Sequence, residues 1–274
     1  MIHITTLMNM TPNPSKDLKT QHGLSFLIDY DGTSILFDTG FNSDFIENAI
    51  NMGADLSRLS AVVLSHGHYD HTAGYKDLMK AGLAPRYLFV GKNFFEKKYI
   101  KHGMRYVNVS SSLDEVEIRN HDIDLRIIEK GIHYEKGIYF VTGFTESNPY
   151  EKVSKDDLIL KDNGFINDDF SDEVCIVLET SKGQVILTGS SHIGLCNILD
   201  KVHRVFNKPI YAVIGGFPVD SKNEMRTKFT LSTLKEYQVK HLGYSPTKPL
   251  NNDEFKFNTI SINTISVGDE LFIN

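Results

Sequence analysis

The apolar run Ala61-Val62-Val63-Leu64 leads without a break into "SHGHYDHTAG", so three histidines and one aspartate crowd positions 66 to 71 directly after it. No other stretch restricts the folding of this chain so tightly. A short continuous apolar run reads as a strand buried on both faces, and ionisable groups beside a core are costly unless something binds them. Residues two apart on extended backbone share a face, so His66 and His68 can aim their rings at one point. Asp70 and His71 then fall on the turn that follows. Neutral imidazole ligates zinc and iron, and a carboxylate oxygen adds a harder ligand suited to a second divalent ion. A metal accepts all four groups and offsets their desolvation. A histidine-rich surface loop, the plain alternative, does not fit a segment that leaves a buried strand. Gly67 lets the backbone bend around such a centre, and Ala73-Gly74 lets the next element pack close.

The rest of the chain alternates strand and helix signals with no linker long or polar enough to divide it, which predicts one domain over residues 1–274. "LSFLIDYDGTSILFDTG" reads as two strands joined at Asp31-Gly32, a pair suited to the positive φ angles of a two-residue hairpin. "FNSDFIENAINMG" reads as a helix with Asn42 or Ser43 as N-cap and Gly53 as its stop. "GIYFVTG", "EVCIVLET", "GQVILTG", "IYAVIGGF" and the closing "TISVGDELFI" read as strands. "GLCNILDKVHRVF" places Leu195, Ile198, Leu199, Val202 and Phe206 at helical spacing, and "EMRTKFTLSTLKEYQ" reads as a further helix. Early hairpins followed by strand-helix alternation predict a layered α/β arrangement. No internal repeat is visible by eye.

Composition narrows the function. The 29 basic and 35 acidic residues give a net charge of −6, so no basic footprint points to nucleic acid or to an anionic membrane surface. No apolar run approaches the ~18 residues of a membrane span, and "MIHITTLMNM" lacks the pattern of a signal peptide, which predicts a soluble, cytoplasmic protein. Cys175 and Cys196 lie in apolar segments where buried free thiols are ordinary. "GKNFFEKKYIKHG" interleaves aromatic and basic residues, read here as a solvated helix with an apolar face. "ESNPYEKVSKDDLILKDNGFINDDFSDE" reads as a polar loop over the metal edge or a surface excursion, with Glu146, Asp172 and Glu173 around it as further ligand candidates. His3, His102, His121, His133, His203 and His241 show no ligand spacing, while His22 stands close to the first hairpin.

"SHGHYDHTAG" resembles the H-x-H-x-D-H signature of the metallo-β-lactamase superfamily. "HGLSFLI", "ILFDTGFNSDFIENA", "DDFSDEVCIVLETSKGQVILTGSSHIGLCNIL" and "IYAVIGGF" resemble, in order, its dihydropterin or ribofuranosylaminobenzene phosphate synthase-like branch, over nearly the whole chain. The resemblance implies an α/β fold, a four-layer αβ/βα sandwich with metals at one edge of two packed sheets. It implies His66, His68, Asp70, His71 and His192 as metal ligands, and Asp38 as the group that fixes a ligand imidazole. It also implies one or two divalent ions as cofactor, zinc first, with iron or manganese as the other candidates.

The chain departs from that branch at three places. Ser190 stands where the branch usually has cysteine, Pro218 where it has histidine, and Tyr244 and Ser245 where it has histidine and cysteine. The mechanism implied is hydrolysis of a small phosphorylated or ester-containing substrate by metal-activated water, with Asp70 as the catalytic candidate for orienting that water or moving a proton. The three departures favour the alternative, a non-catalytic binder of metal or ligand. Dedicated β-lactam hydrolysis fits neither the cytoplasmic expectation nor the branch.

Overall fold

A computed structural model describes residues 1–217, 224–245 and 260–274. The chain forms two compact units that interleave in sequence. The first takes Met1–Glu129, Lys155–Asp168 and Ser266–Asn274, the second Lys130–Ser154 and Asp169–Ile265.

The first unit is built on a seven-stranded sheet in the order Glu270–Ile273, Ile2–Met8, Ser25–Tyr30, Thr33–Phe37, Ala61–Val63, Tyr87–Gly91, Asp124–Ile128. Its first three pairings are antiparallel and its last three parallel. The hairpin turns at Asp31 (φ 50°) and Gly32 (φ 86°), as the dipeptide predicts. Ala61, Val62 and Val63 are all fully buried, the signature of a strand covered on both faces. Val62, Leu36 and Leu88 share one apolar cluster with Phe45, Ala49, Tyr75 and Leu78. Phe45 and Ala49 come from the helix Asp44–Met52, Tyr75 and Leu78 from the helix Gly74–Lys80. Ser43 is the N-cap of the first of these by position, but the side chain that accepts from Asp44 N, at 2.9 Å, is that of Asn42. Gly53 ends that helix in the left-handed conformation.

Two sequence expectations fail in this unit. The expected helix in "GKNFFEKKYIKHG" is instead the strand Lys97–His102, and the expected loop over the metal edge contains the hairpin Asp157–Lys161 and Gly164–Asn167. Together with Arg105–Asn108 they make a four-stranded antiparallel sheet. The period-2 signal of the first strand is hidden because its most buried side chain is a lysine. Lys98 is 1% exposed and its ammonium lies 2.5 Å from the buried carboxylate of Asp168. The hairpin signal was present in "KDNG", where Asp162 and Asn163 form the turn before Gly164 (φ 110°).

The second unit repeats the strand plan of the first, although no repeat is visible in the sequence. Its sheet runs Ile132–Glu135, Ile138–Val141, Cys175–Thr180, Gly183–Thr188, Ile210–Gly216, His241–Ser245, Ser261–Thr264, with three antiparallel pairings followed by three parallel ones. The helix Leu195–Phe206 buries Leu195, Ile198, Leu199 and Val202 against Val177, Ile186 and Val213, as its spacing predicts. The helix Glu224–Glu236 also forms where expected. Among the described residues no helix is long and apolar enough to cross a membrane. In each sheet the strand at the switch from antiparallel to parallel pairing is followed by a loop of functional interest: Asp38-Thr39-Gly40 after Thr33–Phe37, and Gly189 to His192 after Gly183–Thr188.

Candidate metal centre

Asp38 organises the histidine segment. It follows its strand with φ 61°, a left-handed conformation that Asp tolerates better than most residues, and it is fully buried. Its Oδ1 accepts the Ser65 backbone N–H at 2.7 Å, and its Oδ2 accepts the Ser65 hydroxyl at 2.7 Å and His71 Nδ1–H at 2.6 Å. The single Ser65 hydroxyl proton is committed to the carboxylate, so the 2.9 Å contact between Ser65 Oγ and His66 Nδ1 has the ring donating. One carboxylate thereby sets two tautomers. In their neutral forms His71 and His66 both carry their proton on Nδ1, which puts the ligating lone pair on Nε2. The expectation that Asp38 fixes a ligand imidazole is met at His71 directly and at His66 through Ser65.

His66 and Gly67 form a bend rather than extended strand, and His68 is the N-cap of the short helix Tyr69–Thr72 that carries Asp70 and His71. The His66 ring stands 4.6 Å from that of His68 and 4.5 Å from that of His71, centroid to centroid. All four motif residues are buried. Burial is the largest single influence on Asp70 and opposes its ionisation. His71, the His22 hydrogen bond and His68 more than offset it and hold the carboxyl well below the usual carboxylate range. His22 Nδ1 lies 2.9 Å from Asp70 Oδ2, and His71 Nε2 lies 3.7 Å from the same oxygen. Two glycines allow this packing. A Cβ on Gly23 would stand 1.9 Å from the Asp70 carbonyl oxygen, and one on Gly74 would stand 2.2 Å from the Thr39 carbonyl oxygen. The close approach expected of Ala73-Gly74 is therefore present.

His192 is positioned by groups of its own. The Glu173 carboxylate accepts the backbone N–H groups of His192 and Ile193, both at 2.9 Å, and the Phe170 ring stacks on the imidazole at 4.2 Å and 6°. In the first unit His66 and His68 stand ring to ring, and each has a ring nitrogen that could ligate a divalent ion. The donor set fits a divalent metal. Asp70 and His71 face each other as a pair.

The sequence model of the metallo-β-lactamase superfamily matches residues 19–153, the part that contains the Asp38 loop and the histidine motif. The crystal structure of Tm1679, a metal-dependent hydrolase of the β-lactamase superfamily, matches with a TM-score of 0.84 and 26% identity, over 100% of this chain and 99% of that one. The chain belongs to the metallo-β-lactamase superfamily. The fold class read from the motif is the one found. Two proteins of Methanocaldococcus jannaschii are also similar. An uncharacterized protein is 31% identical over 202 residues, 74% of each chain. The 7,8-dihydropterin-6-methyl-4-(β-D-ribofuranosyl)-aminobenzene-5′-phosphate synthase is 29% identical over 254 residues, 88% of this chain and 85% of the relative.

Within this metallo-β-lactamase fold the departures have structural counterparts. Tyr244 is buried in the apolar cluster of the second unit, its ring 4.7 Å from that of Phe217. Ser190 is half-buried beside Ser191, which has φ 52° and donates to the Gly216 carbonyl at 2.7 Å. Pro218 lies outside the described residues. Cys175 and Cys196 are buried free thiols; burial pushes Cys196 up to about 12 and Cys175 further, so both stay protonated and neither acts as a thiolate. Of the acidic ligand candidates, Glu146 is exposed, accepting the Val153 N–H at 2.6 Å and pairing with Lys152, and Glu173 holds backbone. Ser65 and the holding role of Glu173 escaped the sequence reading. Ser65 directly precedes the first histidine, where a hydroxyl can reach a ring nitrogen; nothing local marks Glu173.

Proposed function

We propose that this protein is a metal-dependent hydrolase acting in the cytoplasm on a small phosphorylated or ester-containing molecule. The observation that carries the reading is the buried Asp38 carboxylate that orients the His71 ring directly and the His66 ring through Ser65, with the rings of His68 and His71 within 4.6 Å of that of His66. His66 and His68 would hold one ion, with His192 as the further ligand that the family pattern implies. Asp70 and His71 would contribute to a second, with zinc favoured and iron or manganese as alternatives. When bound, a divalent ion supplies Lewis acidity and lowers the pKa of water to about 7. Asp70, kept ionised by its imidazole neighbours and gripped by His22, is the residue that would orient the attacking water or accept its proton. The similarity to a metal-dependent hydrolase and to a synthase of a phosphorylated product supports this reaction and substrate class.

A second reading, a binder without turnover, draws on Tyr244, whose phenol is packed into apolar surroundings where the branch has a ligating type. Metal analysis of the purified protein, followed by a panel of phosphodiesters, thioesters and lactones with a His68→Ala control, separates the two. Metal-dependent turnover that is lost in His68→Ala is the expected result. Bound metal without turnover on any member of the panel would leave the binder.

A further inference from the structure

Beside the histidine segment, within the first unit, lies a cavity of about 770 Å³ whose lining includes Phe95, Lys97, Asn108, Ser111, Ser112 and Asp114. It is large enough for a sugar-sized ligand. The metal role of the histidines does not use it. We propose that this cavity binds a neutral polyhydroxylated ring, either a free sugar or the sugar part of a larger molecule.

The chemistry of the lining selects that class. The Asn108 side-chain oxygen is taken by the Ser110 N–H at 2.9 Å, which leaves its amide N–H groups to donate. Thr72 Oγ1 gives its one proton to the His68 carbonyl at 2.9 Å, so Ser111 Oγ donates to Thr72 Oγ1 at 3.0 Å and accepts from Leu113 N at 3.3 Å, which leaves Ser111 an acceptor lone pair. Asp114 uses Oδ1 to cap the backbone at Val116 and Glu117 and keeps its second oxygen as an acceptor. Asn108 thus offers donors, and Ser111 and Asp114 offer acceptors, a mixture that hydroxyl groups can use because each both donates and accepts. Phe95, half-buried against the core and edge-on to Phe94 at 5.0 Å, supplies a fixed apolar wall for the C–H face of a ring. Among the described lining residues Lys97 is the one cation against two carboxylates, Asp114 and Glu115, so the charge does not favour a phosphate or carboxylate ligand.

The cavity is also joined to the metal segment. Ser111 N donates to the carbonyl of Gly67, the residue between His66 and His68, at 2.7 Å. Thr72 Oγ1 lies 2.9 Å from the His68 carbonyl oxygen as well as 3.0 Å from Ser111 Oγ. A sugar held here sits one hydrogen-bonded layer from the histidines. The proposal concerns binding alone and does not depend on turnover at the metal.

The test uses chelator-treated full-length protein, so its outcome is separate from that of the metal reading. Backbone amide shifts are followed while D-ribose, D-glucose, methyl glucoside, ribose 5-phosphate and inorganic phosphate are titrated in. Saturable shifts centred on Asn108 to Asp114 with the neutral sugars are expected. Asn108→Asp, which keeps the acceptor for Ser110 N–H, and Ser112→Ala at an exposed position should each weaken binding about three- to tenfold, the range of one net hydrogen bond. Tighter binding of the glucoside than of free glucose would assign the site to a sugar within a larger molecule, and the reverse to a free sugar. No saturable shift with any neutral sugar, unchanged affinity in both variants, or tighter binding of inorganic phosphate than of the sugars would each overturn the proposal.

Discussion

Replacing Asp38 by Asn should weaken metal binding sharply while leaving the backbone of its loop in place. Asn tolerates the left-handed conformation at φ 61° and matches Asp in volume, so the change acts on hydrogen bonding alone. The carboxylate accepts three hydrogen bonds, from Ser65 N, Ser65 Oγ and His71 Nδ1. The Asn oxygen can keep the first. Its N–H₂ group then meets His71 Nδ1, which must give up its proton to accept, and the proton moves to Nε2 where a ligand lone pair is needed. Ser65 loses the acceptor that orients its hydroxyl, and the His66 tautomer is released as well. Loss of such a supporting group typically costs ~10–100-fold in metal affinity. With two histidines affected, a fall toward the upper end, about 100-fold, is expected. Each lost bond to a buried carboxylate also removes ~1.5–3 kcal/mol. Competitive titration against a chelator measures the affinity, and urea denaturation of the metal-free protein measures the stability. Ser65→Ala provides the intermediate case, because it releases His66 and leaves the Asp38–His71 bond. An Asp38→Asn protein that binds metal within threefold of the wild type would refute the tautomer argument.

Gly23→Ala should destabilise the protein by about 3 kcal/mol or more, since it adds strain at φ 110° to a Cβ placed 1.9 Å from the Asp70 carbonyl oxygen. Gly32→Ala, at φ 86° with open space around it, should cost only about 1 kcal/mol in the same thermal melt, and equal losses would reject the contact. Asp157 is pushed up to about 6, chiefly by burial and then by Asp168, while Lys98 opposes the shift and Asp156 adds to it. The folded state therefore binds this proton more tightly than the unfolded chain, and the group's contribution to stability falls as pH rises from about 3.8 to about 6. A fully buried group with that shift would account for about 3 kcal/mol; Asp157 is only partly buried and should account for about 1 kcal/mol. Asp157→Asn should then gain about 1 kcal/mol at pH 7.5 and nothing below pH ~3.8, and a variant less stable than wild type at pH 7.5 would contradict the reading.

The hairpin at Asp31-Gly32 and the helices Asp44–Met52 and Leu195–Phe206 were legible in the sequence because each rests on local signals: a dipeptide suited to positive φ, a cap with a stop glycine, and apolar residues at helical spacing. The strand Lys97–His102 was misread because the partner that makes its buried lysine tolerable, Asp168, lies 70 residues away. In the site, the four motif residues were legible as a cluster, and Asp38 was readable as a partner of an imidazole through its place in "FDTG". The second step, through Ser65 to His66, depends on where a hydroxyl points. Glu173 looked like a spare ligand and proved to be the clamp on the His192 backbone.

The sequence by itself determined that a buried strand ends in a metal-binding type of segment, because apolar runs, histidine spacing and turn residues act between near neighbours in the chain. Only the tertiary structure decided which ring nitrogen of His66 and of His71 is left for a metal, that Asp70 turns to His22 and His71, and that a polar cavity adjoins Gly67. Those outcomes depend on hydrogen bonds of a few tenths of an ångström in tolerance between residues far apart in sequence, and no local pattern encodes them.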